Sequence, residues 1–94
     1  MEKREGFLSV VLPAYNEQLS IARASEVIGG ILNGEHIAYE LIFVDDGSKD
    51  KTWSVIQEQA KCNAQVRGVH FSRNFGKEAA IFAGLAHAKG DCVV

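Results

Sequence analysis

Leu41-Ile42-Phe43-Val44-Asp45-Asp46-Gly47-Ser48 is the stretch that decides the fold. Four apolar residues run without interruption into two carboxylates, a glycine and a hydroxyl, and a helix-like segment follows. An apolar run with no alternation is the pattern of a strand buried on both faces, as in parallel sheets. Parallel strands need long crossover connections, so the same stretch predicts a helix on either side of it. Open α/β sheets bind ligands beyond the carboxyl ends of their strands, which is where Asp45 and Asp46 fall.

Working outward, the segments on both sides fit that frame. Upstream, residues 8–12 are β-rich and are followed by Pro13, the only proline. Proline lacks a ladder donor and biases Leu12 to an extended conformation, so the strand is expected to close there. Over 18–33, Ile21, Ala24, Ile28 and Ile31 fall at the spacing of an amphipathic helix. Downstream, Ser48 or Asp50 can cap a helix over 51–62 whose buried face carries Trp53, Ile56 and Ala60. A third strand is expected over 66–71. The next helix, over 77–89, has Ala79, Phe82 and Ala86 on one face, with Gly84 allowing close packing on the sheet. A fourth strand opens at Asp91. The order β-α-β-α-β-α-β predicts a Rossmann-like three-layer α/β/α fold with a mostly parallel sheet; strand order is not written in the sequence, and the Rossmann-like 3-2-1-4 is the expectation. All of 1–94 reads as one unit, and because it stops at Val94 inside a strand it reads as a piece of something longer.

Composition excludes several classes of function. A 47% hydrophobic and 23% charged chain is ordinary for a globular protein. A net charge of -2, with Lys3-Arg4 the only adjacent cations, argues against a nucleic-acid partner. No apolar run approaches the roughly 18 residues of a membrane span, and the charged start is not a secretory signal. Cys62 and Cys92 have neither metal spacing nor a disulfide framework and read as reduced, buried thiols of a cytoplasmic chain.

In a parallel sheet all strand C-termini meet on one rim. Here that rim displays 13–17, 45–48 and 73–77, where the polar residues of the chain concentrate. Asp45, Asp46 and Ser48 can serve as caps, yet two carboxylates plus Gly47 at a buried strand's end exceed what a cap requires. Tyr15 beside Pro13 is placed to stack on a flat base. Arg73 and Lys77 flank Asn74 and Gly76 at a helix start, where cations and free N–H groups form an anion site. A stacking ring, a carboxylate acceptor and a phosphate clamp together point to a nucleotide. His70 reads as structural and His87 as a solvated helix residue. No Ser-His-Asp or Cys-His arrangement is present, so no catalytic residue is assigned.

These residues carry a resemblance. Val10-Val11-Leu12-Pro13-Ala14-Tyr15-Asn16-Glu17 is similar to the opening strand and loop of family 2 glycosyltransferases of the GT-A fold. Val44-Asp45-Asp46-Gly47-Ser48, with Asp50, Thr52 and Trp53, resembles that family's second motif. Phe71-Ser72-Arg73-Asn74-Phe75-Gly76-Lys77-Glu78-Ala79-Ala80 resembles a narrower branch that transfers sugars to polyprenyl phosphates, the bactoprenol glucosyltransferases and dolichyl-phosphate mannose synthases. The similarity runs over about 7–94.

The resemblance implies that the chain is the N-terminal, nucleotide-binding half of a GT-A fold. Pro13, Ala14, Tyr15, Glu17 and Asp45 would form the base and ribose site of a UDP- or GDP-sugar. Asp46 and Ser48 would shape the loop, and Arg73, Gly76 and Lys77 would lie near a diphosphate or the acceptor phosphate. A divalent metal, Mg or Mn, is implied for the full-length enzyme. Its D-x-D motif would follow the strand opening at Asp91, so this chain is expected to hold no metal ligands and to be inactive alone. A polyprenyl phosphate acceptor and action at the cytoplasmic face of a membrane are likewise implied, and self-association is left open.

Three other readings compete. A dinucleotide-binding domain predicts G-x-G-x-x-G after the first strand, where the chain has Pro13-Ala14-Tyr15-Asn16-Glu17. A receiver domain would place acidic residues after the first strand as well as elsewhere, whereas here they follow the second. A functionless fragment with an exposed sheet edge is the third.

Overall fold

The computed structural model describes residues 6–94. The elements are β1 (Phe7–Ala14), α1 (Ile21–Gly34), β2 (Ala38–Asp45), α2 (Thr52–Cys62), β3 (Val66–His70), α3 (Lys77–His87) and β4 (Asp91–Val93). They form one four-stranded sheet in the order β3-β2-β1-β4. Each neighbouring pair is parallel, with Val10 opposite Leu41, Leu41 opposite Val66, and Val10 opposite Val93. The predicted α/β class and strand order are both observed.

β2 is buried along its length from Tyr39 to Asp45. Its side chains alternate between two cores, as a pleated strand requires. Leu41 and Phe43 face α1 and α2 and pack with Val10, Ile21, Ile56 and Val66. Ile42 and Val44 face α3 and pack with Val11 and Ala80. The third layer follows from this division.

Four sequence readings change in the structure. β1 runs through Pro13, which pairs with Val44 in the ladder. Asp46 N–H donates to Ala14 C=O at 2.9 Å, so Ala14 turns its backbone groups toward β2. By alternation Pro13 turns its missing donor to the other side, where β4 pairs only as far as Val10. In α1 the buried line is Ile21, Ser25, Gly29 and Leu32, and Ile31 is 61% exposed. In α3 the buried positions are Ala80 and Gly84, while Phe82 is 73% exposed and Ala86 lies outside. Phe82 is about 200° around the helix from both small residues, hence on the far side. Gly84 does permit the close approach, since a Cβ there would collide with the Val11 γ-methyls. Finally, Cys62 is exposed and Cys92 half-buried, where both were expected to be buried.

Candidate functional site

The carboxyl ends of β1 and β2 and the β3–α3 connection form the rim, and hydrogen bonds tie the three together. Asn16 adopts a left-handed conformation (φ 51) at the tip of the first loop. Its N–H donates to Ser48 Oγ at 2.9 Å, and its Oδ1 accepts from Lys49 N–H at 2.8 Å. Glu17 N–H donates to Thr52 Oγ1 at 2.8 Å, and Lys51 N–H to Gln18 Oε1 at 2.9 Å. Ser48 therefore joins loops and does not cap α2. The capping role falls to Asp50, whose Oδ1 accepts from Thr52 N–H at 2.9 Å. Hydrogen bonding from the Thr52 hydroxyl holds the Asp50 carboxyl below its ordinary range, against a smaller desolvation effect.

The adjacent carboxylates go to opposite sides. Asp45 continues the Leu41 and Phe43 side of β2 and has no exposure. Its Oδ1 accepts from Ser48 N–H at 3.0 Å, and its Oδ2 lies 2.8 Å from His70 Nδ1. Asp46 turns to the α3 side, where Phe75 N–H donates to its Oδ1 at 2.8 Å and Gly76 N–H to its Oδ2 at 3.1 Å. Asn74 Nδ2 adds weaker bonds to Asp46 C=O and Oδ2. Between the two loops sits Gly47, at φ 68, where a Cβ would run into the backbone of Arg73 and Asn74. Only glycine meets both demands at this point.

A cavity of about 220 Å³ opens on this rim, lined by Pro13, Ala14, Tyr15, Glu17, Asp46 and Lys77. It offers an apolar floor, a ring 40% exposed, two carboxylates and one ammonium group. All six lining residues are among those singled out in the sequence. Asp45, Ser48, Arg73 and Gly76 are not in the lining. Asp45 is sealed from solvent on the other side of the sheet from Asp46, Ser48 holds Asn16, and Arg73 lies over the Phe75 ring at 4.7 Å. The anion clamp expected at the start of α3 is also changed. The N–H groups of Phe75 and Gly76 are occupied by Asp46 rather than free.

His70, which the sequence reads as structural, stands at the rim against Asp45. It ends β3 directly opposite Asp45 in the ladder, and its ring stacks on Trp53 with centroids 4.7 Å apart. The register that pairs the two residues is the signal that reveals it, and register is not written in either strand alone.

A wider cleft of about 350 Å³ lies at the opposite end of the sheet, beside Glu40, Arg67 and Lys89. The Glu40 carboxylate there is already satisfied by Ser9, Arg67 and Lys89 N–H. Among the described residues no group of three or more His, Cys, Asp or Glu side chains is placed to hold a metal ion. Asp45 and Asp46 do not converge on a common point: Asp45 directs its oxygens at Ser48 N–H and His70, and Asp46 directs its own at the N–H groups of Phe75 and Gly76. No helix among the described residues is long and apolar enough to cross a membrane.

With this geometry in view, the chain can be set beside known proteins. The family described as Glycosyl transferase family 2 matches residues 9–94. The bactoprenol glucosyl transferase of Shigella phage SfV is 40% identical over 87 residues, covering 93% of this chain and 28% of that protein. An uncharacterized glycosyltransferase of Synechocystis sp., sll0501, is 41% identical over 87 residues, covering 93% of this chain and 27% of that protein. Among solved structures, the mannosyltransferase PcManGT from Pyrobaculum calidifontis in complex with GDP-Man and Mn2+ matches with a TM-score of 0.69. It is 27% identical and covers 86% of this chain and 24% of its own. The chain spans about a quarter of the length of the curated relatives it matches.

Proposed function

The chain belongs to glycosyl transferase family 2, and on that footing we propose that its rim cavity receives the nucleotide of a UDP- or GDP-sugar. The observation that carries the reading is the convergence of Pro13, Ala14, Tyr15, Glu17, Asp46 and Lys77 on one cavity. Tyr15 offers a ring for the base to stack on. Glu17 and Asp46 accept hydrogen bonds from base N–H groups or ribose hydroxyls. Lys77 supplies the charge that a diphosphate needs. Asp45, Ser48, Arg73 and Gly76 support this lining from behind.

The proposed acceptor is a polyprenyl phosphate, by likeness to the relatives named for bactoprenol. In that reaction an acceptor phosphate oxygen forms a bond to the anomeric carbon as the bond to the nucleoside diphosphate breaks. A phosphate is ionised at neutral pH, so the attack needs little help from a general base. In the whole enzyme a divalent ion, Mg or Mn, would neutralise the leaving diphosphate; among the described residues no group of three or more His, Cys, Asp or Glu side chains is placed to hold it. An acceptor of this kind puts the whole enzyme at the cytoplasmic face of a membrane.

Calorimetric titration of UDP and GDP into the chain, into Asp46→Ala and into Lys77→Ala tests the reading. One nucleotide should bind the unaltered chain, and each substitution should weaken it by about tenfold or more, the value of one charge-assisted hydrogen bond. Failure of both nucleotides to bind the unaltered chain overturns the reading.

A further inference from the structure

Tyr15 and Glu17, which line the rim cavity, flank Asn16, and Asn16 is held from outside its own loop. Its N–H is held by Ser48 Oγ at 2.9 Å, and the N–H of Ser48 is held by Asp45 Oδ1 at 3.0 Å. The other oxygen of Asp45 meets His70 Nδ1 at 2.8 Å. Four hydrogen-bonded groups thus run from the end of β3, across β2, to the tip of the β1 loop. We propose that His70 is a positioning residue for the nucleotide site, acting through Asp45, Ser48 and Asn16 on Tyr15 and Glu17. The site it positions rests on the function proposed above, but the relay itself does not.

The fixed ring explains why one link can govern the others. Asp45 has no exposure, and the ring that covers one of its oxygens is itself 44% exposed, so loss of His70 replaces a donor fixed by stacking with mobile water. The carboxylate is then no longer held in one direction, and its bond to Ser48 N–H loosens with it. Asn16 sits at φ 51, a conformation a non-glycine residue keeps only where its surroundings hold it. His70 is itself fixed on its other side by the stacked Trp53 ring. A carboxylate acceptor on Nδ1 leaves that nitrogen as the donor and the ring in one orientation. The Glu17 N–H bond to Thr52 Oγ1 is a separate tether and lies outside the relay.

The test compares the chain with His70→Ala, His70→Asn and His70→Gln. The asparagine amide nitrogen stands one bond beyond Cγ, as Nδ1 does, and can donate to Asp45; the glutamine nitrogen reaches further and misses it. Amide hydrogen exchange is followed at Asn16 and Ser48, with Ile42 in the interior of β2 as the internal reference. In His70→Ala exchange at Asn16 and Ser48 should quicken by about tenfold relative to Ile42, and His70→Asn should restore it. Unchanged exchange at both amides overturns the inference. Should His70→Ala lose its circular dichroism signal, the decision passes to the other two variants. Slower exchange in His70→Asn than in His70→Gln supports the relay, and equal exchange overturns it. In parallel, affinity for whichever of UDP and GDP binds the unaltered chain should fall about tenfold in His70→Ala and return in His70→Asn. If neither nucleotide binds the unaltered chain, the proposed function fails and the exchange result still decides the relay. If one binds and His70→Ala binds it equally well, the relay fails and the proposed function stands.

Discussion

Removing the carboxylate of Glu40 should be among the most damaging single changes to this fold. Glu40 is 3% exposed on β2 and gathers three other parts of the chain. Ser9 Oγ of β1 donates to it at 2.6 Å, Arg67 of β3 at 2.7 Å, and Lys89 N–H, from the turn into β4, at 2.8 Å. Ser9 Oγ in turn accepts from Gly90 N–H at 2.9 Å. Glu40→Ala leaves these donors facing a cavity. Breaking a buried ion pair costs about 3–5 kcal/mol. Arg67 is 33% exposed and rehydrates in part, which favours the lower end, about 3 kcal/mol. A domain of this size loses about 4–8 °C in Tm per kcal/mol, so the melting temperature should drop by roughly 12–24 °C. Glu40→Gln keeps the volume but turns an N–H toward other donors, at a cost of about 1.5–3 kcal/mol. The pH dependence has a definite sign. Burial pushes the Glu40 carboxyl up, but hydrogen bonds from Ser9, Arg67 and Lys89 N–H and the charge of Arg67 outweigh it and hold it below 4.5. A depressed carboxyl stabilises above its unfolded value and loses that contribution as pH falls through the folded one. Thermal melts followed by circular dichroism should therefore show the gap between the chain and Glu40→Gln narrowing as pH drops from 7 toward 3. A gap unchanged over that range, or a cost below about 1 kcal/mol for Glu40→Ala, would refute the argument.

Two glycine substitutions in helices should act with opposite sign. Gly84→Ala drives a Cβ into Val11 and should destabilise by about 1–3 kcal/mol in urea melts, whereas Gly30→Ala meets nothing within 4 Å and should stabilise by about 0.5–1 kcal/mol. Gly47→Ala combines φ 68 with a collision against the backbone of Arg73 and Asn74, and should lower the unfolding free energy read from urea melts by more than the about 1–2 kcal/mol of left-handed strain alone. Mn2+ added without nucleotide should leave the Tm of the chain unmoved, because the described residues assemble no group of metal ligands; a concentration-dependent rise would show that they do.

What the sequence made legible was whatever depends on local pattern. The apolar run from Leu41 to Val44 reads as a strand buried on both faces, and the parallel α/β class follows from it; the strand order 3-2-1-4 is not fixed by the sequence, although the expected order is the one observed. The rim was equally plain, because polar residues crowd the strand C-termini and nowhere else to that degree. The errors share another cause. Ile31 and Phe82 fit an apolar stripe, but which stripe faces the sheet depends on how close the helix can come. Ala80 and Gly84 let α3 lie against Val11, and that approach decides the face over any count of large apolar residues. Pro13 was read as a stop because the missing donor was counted without knowing which edge of β1 it faced. His70 was read as no more than structural because its meaning lies in a pairing between strands 25 positions apart.

The pair of aspartates shows how much such placement decides. Asp45 and Asp46 are chemically identical neighbours at the end of one strand, and the pleat sends them to opposite faces of the sheet. On the α2 side the carboxylate meets His70 and Ser48 N–H, is sealed from water, and has nothing left to offer a ligand. On the α3 side it reaches the Phe75 and Gly76 N–H groups and still lines the open cavity. A shift of one residue in the register of β2 would move one aspartate into the other's place, bring Val44 or Gly47 into the place it left, and strip one of the two sets of donors of its acceptor. The Leu41 and Phe43 side and the Ile42 and Val44 side are both fully packed, so the cores on the two faces fix that register before any ligand is considered. The division of labour between the two carboxylates is therefore a consequence of core packing, and substitutions that loosen β2 should disturb recognition at the rim before they abolish the fold.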